Sequence, residues 1–138
     1  MTAENSAVAH FICGINSHDQ HSVREILAPD FTFEEVAGPG EASVEALLEE
    51  LRLVFDAFPD IQFRPVRQTR DGNRTYVEVR AVGTHRAEFL SVPATGTTAI
   101  ISGVFNLESD ETVHRLRLTI DFGGLRRQLL LASRMATG

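Results

Sequence analysis

The sequence predicts an α+β fold in which three N-terminal helices pack on one face of a curved antiparallel (mixed) β-sheet, leaving a cone open at one end. Three observations carry this. Apolar residues recur with helical period over much of the first 58 residues, the period changes to two after Pro59, and polar turn residues cut the remainder into strands. At 138 residues the chain has room for a single domain, residues 1–138, with a core and one buried cavity.

Val8, Phe11, Ile12 and Ile15 fall at i, i+3, i+4 and i+7, the stripe of a first amphipathic helix, and Cys13 lies off it as an inert thiol. A polar break from Asn16 precedes Val23, Ile26 and Leu27, a second short helix that must stop near Pro29. His18 and His21 have a spacing able to hold a metal, yet no further ligands of suitable spacing lie nearby, so the pair reads as a solvated helix start and no metal is predicted. Residues 31–36 form a short strand closed by Gly38, Pro39 and Gly40. Ser43 then caps a third helix, with Glu45 in its first turn, whose stripe runs through Leu47, Leu48, Leu51, Val54 and Phe55 to Phe58 before Pro59 ends it.

Residues 61–69 and 75–85 flank Asp71-Gly72-Asn73 and form an antiparallel hairpin. In its second strand Val77, Val79, Ala81 and His85 share the inward parity. Glu78 and Arg80 take the other, as a solvated charge pair or part of a dimer surface. Residues 98–107 and 113–121 are the last strands, after which Gly123 and Gly124 turn the chain into a helix. In the final strand Arg115, Arg117, Thr119 and Asp121 share one face, and Leu116, Leu118 and Ile120 the other.

Thirteen basic against 19 acidic residues, a formal charge of −6 and no basic run argue against nucleic acid or an anionic membrane as partner. A lone cysteine excludes an internal disulfide, the N-terminus lacks a signal-peptide layout, and no apolar run reaches the ~18 residues of a membrane span, so a cytoplasmic protein is predicted. Two groups are candidates for chemistry. Asp121 either caps the last helix through its carboxylate or acts as an acid or base in a pocket; His85 either satisfies a sheet rim or takes part in catalysis.

Several short signatures bear on that choice: Asn16-Ser17-His18-Asp19, Ala28-Pro29-Asp30-Phe31, Ala57-Phe58-Pro59-Asp60, Gly83-Thr84-His85 with Phe89 and Pro93-Ala94-Thr95-Gly96, and Asp121-Phe122-Gly123-Gly124-Leu125-Arg126-Arg127-Gln128-Leu129. In this order the chain resembles the SnoaL-like polyketide cyclases of the nuclear transport factor 2-like superfamily, with its cystatin-like cone-shaped barrel, over nearly its whole length. The resemblance implies a cofactor-independent, homodimeric enzyme of secondary metabolism such as antibiotic biosynthesis. Its aspartate, matching Asp121, would remove a C–H proton from an apolar polyketide, and the enolate would close a ring by aldol chemistry. Arg117 resembles an arginine of that pattern, and with His85 it would polarise oxygen.

The resemblance also implies an asparagine on the first strand and a Gln/His pair on the strand before the aspartate, where this chain offers Phe33, Ser102 and Val104. Losing a single oxyanion donor costs about 10²–10³ in rate, so His85, Arg117, Ser102 or a water would have to replace them. Phe33 and Val104, with Phe55, Phe89 and Phe105, would make the pocket apolar, raise an aspartate's pKa and suit a hydrophobic ligand, with Glu35 and Ser102 as further contacts. Two alternatives stay open: an epoxide-opening or hydration/dehydration enzyme on the same fold, disfavoured by the absence of a clear Arg-x-Asp, and a non-catalytic module that binds a hydrophobic metabolite.

Overall fold

The computed structural model describes residues 3–36, 38 and 40–137. Among them there are four helices and five strands, in the order α1 (Ala3–Asn16), α2 (Gln20–Ile26), β1 (Leu27–Glu35), α3 (Val44–Ala57), β2 (Gln62–Asp71), β3 (Arg74–Thr84), β4 (Thr98–Ser109), β5 (Val113–Ile120) and α4 (Phe122–Thr137). The strands form one sheet in the order β1-β5-β4-β3-β2. β1 runs parallel to β5 and the other neighbours are antiparallel, so the predicted α+β class and mixed sheet are observed.

Period-two patterning sets the two faces of the sheet. Val77, Val79 and Ala81 of β3, Ile101, Phe105 and Leu107 of β4 and Leu116 of β5 point into the core against the stripes of α1 and α3, led by Phe11, Leu47 and Leu51. Their neighbours along each strand, of opposite parity, face outward. α2 ends at Ile26, three residues before Pro29, which falls inside β1; β1 is an edge strand, where a missing N–H is tolerated. Pro65 likewise lies on the other edge, β2, beside a register shift against β3. Of the loop predicted to close β1, Pro39 lies outside the described residues. No described helix is long and apolar enough to cross a membrane.

Side chains from the loops fasten the layers. Asn16, at the end of α1, donates through Nδ2 to the Phe63 carbonyl at 2.9 Å and accepts the Phe63 N–H at 2.7 Å, clamping the start of β2. Gln128 of α4 does the same to the backbone of Ile100, at 2.7 and 2.9 Å. Asp19 caps α2 by accepting the His21 N–H at 3.0 Å.

Gly103 sits where β5 leaves no room for a side chain on β4. A Cβ there would stand 2.6 Å from the Thr119 carbonyl and from Ile120 Cδ1, one of them backbone that cannot swing aside. Gly103→Ala is therefore expected to destabilise the fold by about 1–3 kcal/mol through overpacking, read as a lower urea midpoint; an unchanged midpoint would show that β5 yields freely.

Candidate active site

Between the helices and the concave face of the sheet lies a cavity of about 60 Å³, walled by Phe11, Leu47, Val54, Phe105, Leu118 and Ile120 among others. Two carboxyl groups, Glu35 at the end of β1 and Glu50 on α3, are the polar side chains among its described lining. Glu50 falls on the buried side of α3 because it sits three residues after Leu47 and four before Val54, within one helical face.

The cavity adjoins a surface funnel of about 650 Å³, with Glu35, Glu50, Phe89 and Phe122 shared between the two, so the carboxyl pair stands at the neck. Burial pushes the Glu35 carboxyl above its ordinary range, reinforced by the charge of Glu50 and by a hydrogen bond to it. The loop on the funnel's rim turns sharply: Leu90 and Ser91 have φ of 51° and 64°, and Phe89 pairs with Val92 through 3.0 and 2.9 Å backbone bonds. Arg126 of α4 donates to the Leu90 carbonyl at 3.1 Å and ties that loop to the helix.

Asp121 is on the other side of the sheet. Its carboxylate accepts the Gly124 N–H at 2.8 Å at the start of α4, and an added Cβ at Gly124 would push that carboxylate out of its capping position. Asp121 borders a shallow outer groove of about 330 Å³ together with Ser102, Val104, Glu78 and Arg80. Arg117, also outward, pairs with Glu34 at 3.2 Å.

The model of the SnoaL-like polyketide cyclase family matches residues 6–129. The chain belongs to this family. Solved structures agree at the level of the fold. AclR of Streptomyces galilaeus, a proposed hydroxylase, superposes with a TM-score of 0.83 at 20% identity, covering 91% of this chain and 80% of that one. A proposed SnoaL-like polyketide cyclase from Jannaschia gives 0.81 at 18%, covering 92% and 91%. IdmH of Streptomyces antibioticus, a proposed polyketide cyclase, gives 0.80 at 23%, covering 91% and 97%. No curated protein matches the chain in sequence.

The SnoaL-like signatures and the residues predicted for the site divide between two faces. Glu35, Phe89 and Phe105 meet at the inner cavity. Ser102 and Val104 were expected to line the same pocket as Phe33, but they have the parity opposite to Ile101 and Phe105 and border the outer groove with Asp121. Phe33 is buried in the core beside Ala42, to which its backbone is paired. Phe55 stacks on His18, ring centroids 4.2 Å apart, and His18 Nε2 lies 2.7 Å from the Ile61 carbonyl, so this histidine is packed where a solvated helix start was predicted.

His85 is fully buried behind Phe58, whose ring it stacks on at 5.4 Å, and Phe58 in turn meets Phe89 edge-on at 5.5 Å. Nδ1 faces the Thr95 hydroxyl at 3.0 Å and the Thr95 N–H at 3.3 Å, and Nε2 makes no hydrogen bond among the described residues. The structure thus keeps His85, Arg117 and Asp121 apart. Sequence reasoning missed Glu50 and Phe122; the signal for Glu50 was a carboxylate set into an apolar helical stripe.

Burial pushes the His85 pKa below its ordinary 6.5, against the opposing Ala87 backbone. The folded chain keeps this ring neutral where the unfolded chain would protonate it, so its contribution is complete above 6.5 and is lost as pH falls toward the lower folded value. His114, raised by Asp110 and Asp30, acts in the opposite sense, favouring the fold at low pH. Comparing wild type with His85→Gln cancels His114. The wild-type urea midpoint should fall more steeply than the variant's between about pH 7.5 and about pH 5, and parallel profiles would show that His85 is not held neutral.

Proposed function

We propose that this SnoaL-like chain is a cofactor-independent cyclase or isomerase-type enzyme acting on an apolar, polyketide-like carbonyl compound within the cone. The observation that supports it is an apolar cavity with a carboxyl pair at its neck. Size favours a particular placement. An engineered cavity of about 150 Å³ is what benzene needs, so about 60 Å³ takes a small alkyl end while the body of the substrate occupies the funnel of about 650 Å³. A carbonyl between the two would lie against the carboxyls.

In this reading Asp121 acts at one remove. Its cap fixes the start of α4 and thereby Phe122 at the mouth. Asparagine caps a helix about as well as aspartate, whereas alanine costs about 1 kcal/mol. Purified protein would be incubated with a polyketide extract and the products followed by mass spectrometry. Wild type and Asp121→Asn should both form a new isomeric or dehydrated product, and Val54→Phe, which fills the cavity, should not. Loss of the product in a stably folded Asp121→Asn would instead make Asp121 the acid or base, as the family resemblance implies. The apolar lining also favours a second reading, a binding module for a hydrophobic metabolite; an apolar compound that co-purifies and is never converted would support it.

We further propose a homodimer formed through the outer face of the sheet. Val66, Tyr76, Val82 and Ile100 are 38–56% exposed there, and Val82 and Ile100 are cross-strand neighbours in one apolar patch. Light scattering should give twice the chain mass for wild type and the single mass for Ile100→Glu; a wild-type monomer would reject the proposal.

A further inference from the structure

We propose that Glu35 and Glu50 share one proton and act together as the acid and base of the cone, Glu50 taking a C–H proton from an enolisable ketone while Glu35 supplies one to its carbonyl oxygen. This rests on the reading of the cone as a substrate site and names the groups that work in it.

Two constraints lead there. Enolate formation needs a donor for the developing oxyanion, and the described lining of the cavity contains no histidine, tyrosine, arginine or amide side chain. A carboxylic acid is a donor only while it keeps its proton. The surroundings favour that state. No lysine, arginine or histidine borders the cavity or the funnel among the described residues, and the charged neighbours facing the pair, Asp56 of α3 and Glu88 of the rim loop, are acidic too. Asp56 already engages Arg52 at 2.8 Å. Two carboxyls side by side with no cation between them retain a proton, as the upward shift of Glu35 reflects.

The step balances. The C–H bond breaks, its proton passes to a Glu50 oxygen, its electron pair forms the C=C bond, and the carbonyl π pair moves to oxygen, which takes the Glu35 proton. Where the ketone carries a further C=C, so that a conjugated dienol forms, return of the Glu50 proton to the far end of the dienol, with Glu35 recovering its own from oxygen, gives the isomeric enone. Attack of the enol carbon on a second carbonyl instead closes a ring. The new alkoxide then takes the Glu50 proton, and Glu35 recovers its proton from the enol hydroxyl. The pair ends as it began.

The probe is 2-tetralone, an apolar ketone with acidic C–H bonds, whose hydrogen–deuterium exchange in D₂O is followed by proton NMR. Wild type should accelerate exchange and lose activity on the alkaline side as Glu35 ionises. Glu50→Gln should lower kcat by about 10²–10⁴ with KM nearly unchanged. Glu35→Gln, still a donor but not an acid, should retain part of the rate and lose the alkaline limb, a change that a merely structural role would not produce. If wild type exchanges and both variants match it in rate and pH profile, the carboxyl pair is rejected while the enzymatic reading stands. If 2-tetralone binds, as resonance shifts would report, and wild type gives no exchange, the enzymatic reading falls and this inference with it.

Discussion

The structure depends on the junction where the end of α3 meets the end of β3. Phe58 lies against Gly83, where a Cβ would come within 2.9 Å of the Phe58 Cβ, and its ring stacks on His85 and meets Phe89 edge-on. Two residues on, Asp60 accepts the Thr84 N–H and hydroxyl, both at 2.7 Å. From there His85 holds the returning loop through Thr95, Gly96 and Thr97. These bonds fix the direction in which the 85–97 segment leaves the sheet, and that direction sets Phe89 at the neck of the cavity. Neutral, buried His85 therefore reaches the mouth through two aromatic rings.

Much of this was legible because it rests on local periodicity. The stripes of α1 and α3, the Asp71-Gly72-Asn73 hairpin and the alternation of β5 each read directly as packing faces, and the family signatures gave the order of elements. The same signatures say less about chemistry. Asn16 clamps Phe63, Asp19 caps α2, Asp60 holds Thr84, Asp121 caps α4 and Gln128 secures Ile100: in the structure, recognisable residues are fasteners between elements. Such contacts persist in a fold whatever its cavity does.

What the sequence hid is which face of the sheet borders the cavity. Asp121 closes a polar face, and a polar face with a carboxylate at its end reads as a pocket wall when the facing layer is unknown. A period of two separates the faces without saying which one the helices cover. Here Leu116, Leu118 and Ile120 turn inward, so Arg117 and Asp121 lie outside. Ser102 and Val104 follow the same parity through their pairing with Arg80 and Glu78. Glu50 was obscured for the converse reason: beside Glu49 in the sequence, it passes for part of a solvated face until the helix is placed.

An apolar cavity with two carboxyls at its neck is not arranged for stability. Glu35, raised above its ordinary 4.5, keeps a proton in the fold that the unfolded chain releases, so its contribution diminishes as pH rises from 4.5 through its folded value. Over the adjoining window His85 acts in the opposite direction, its contribution growing as pH approaches 6.5. Apolar side chains in place of the pair would remove the repulsion and the desolvation together. Among the described residues the two acids interrupt a wall that is otherwise hydrocarbon, a local conflict with packing of the kind expected where a fold serves a function at the expense of stability.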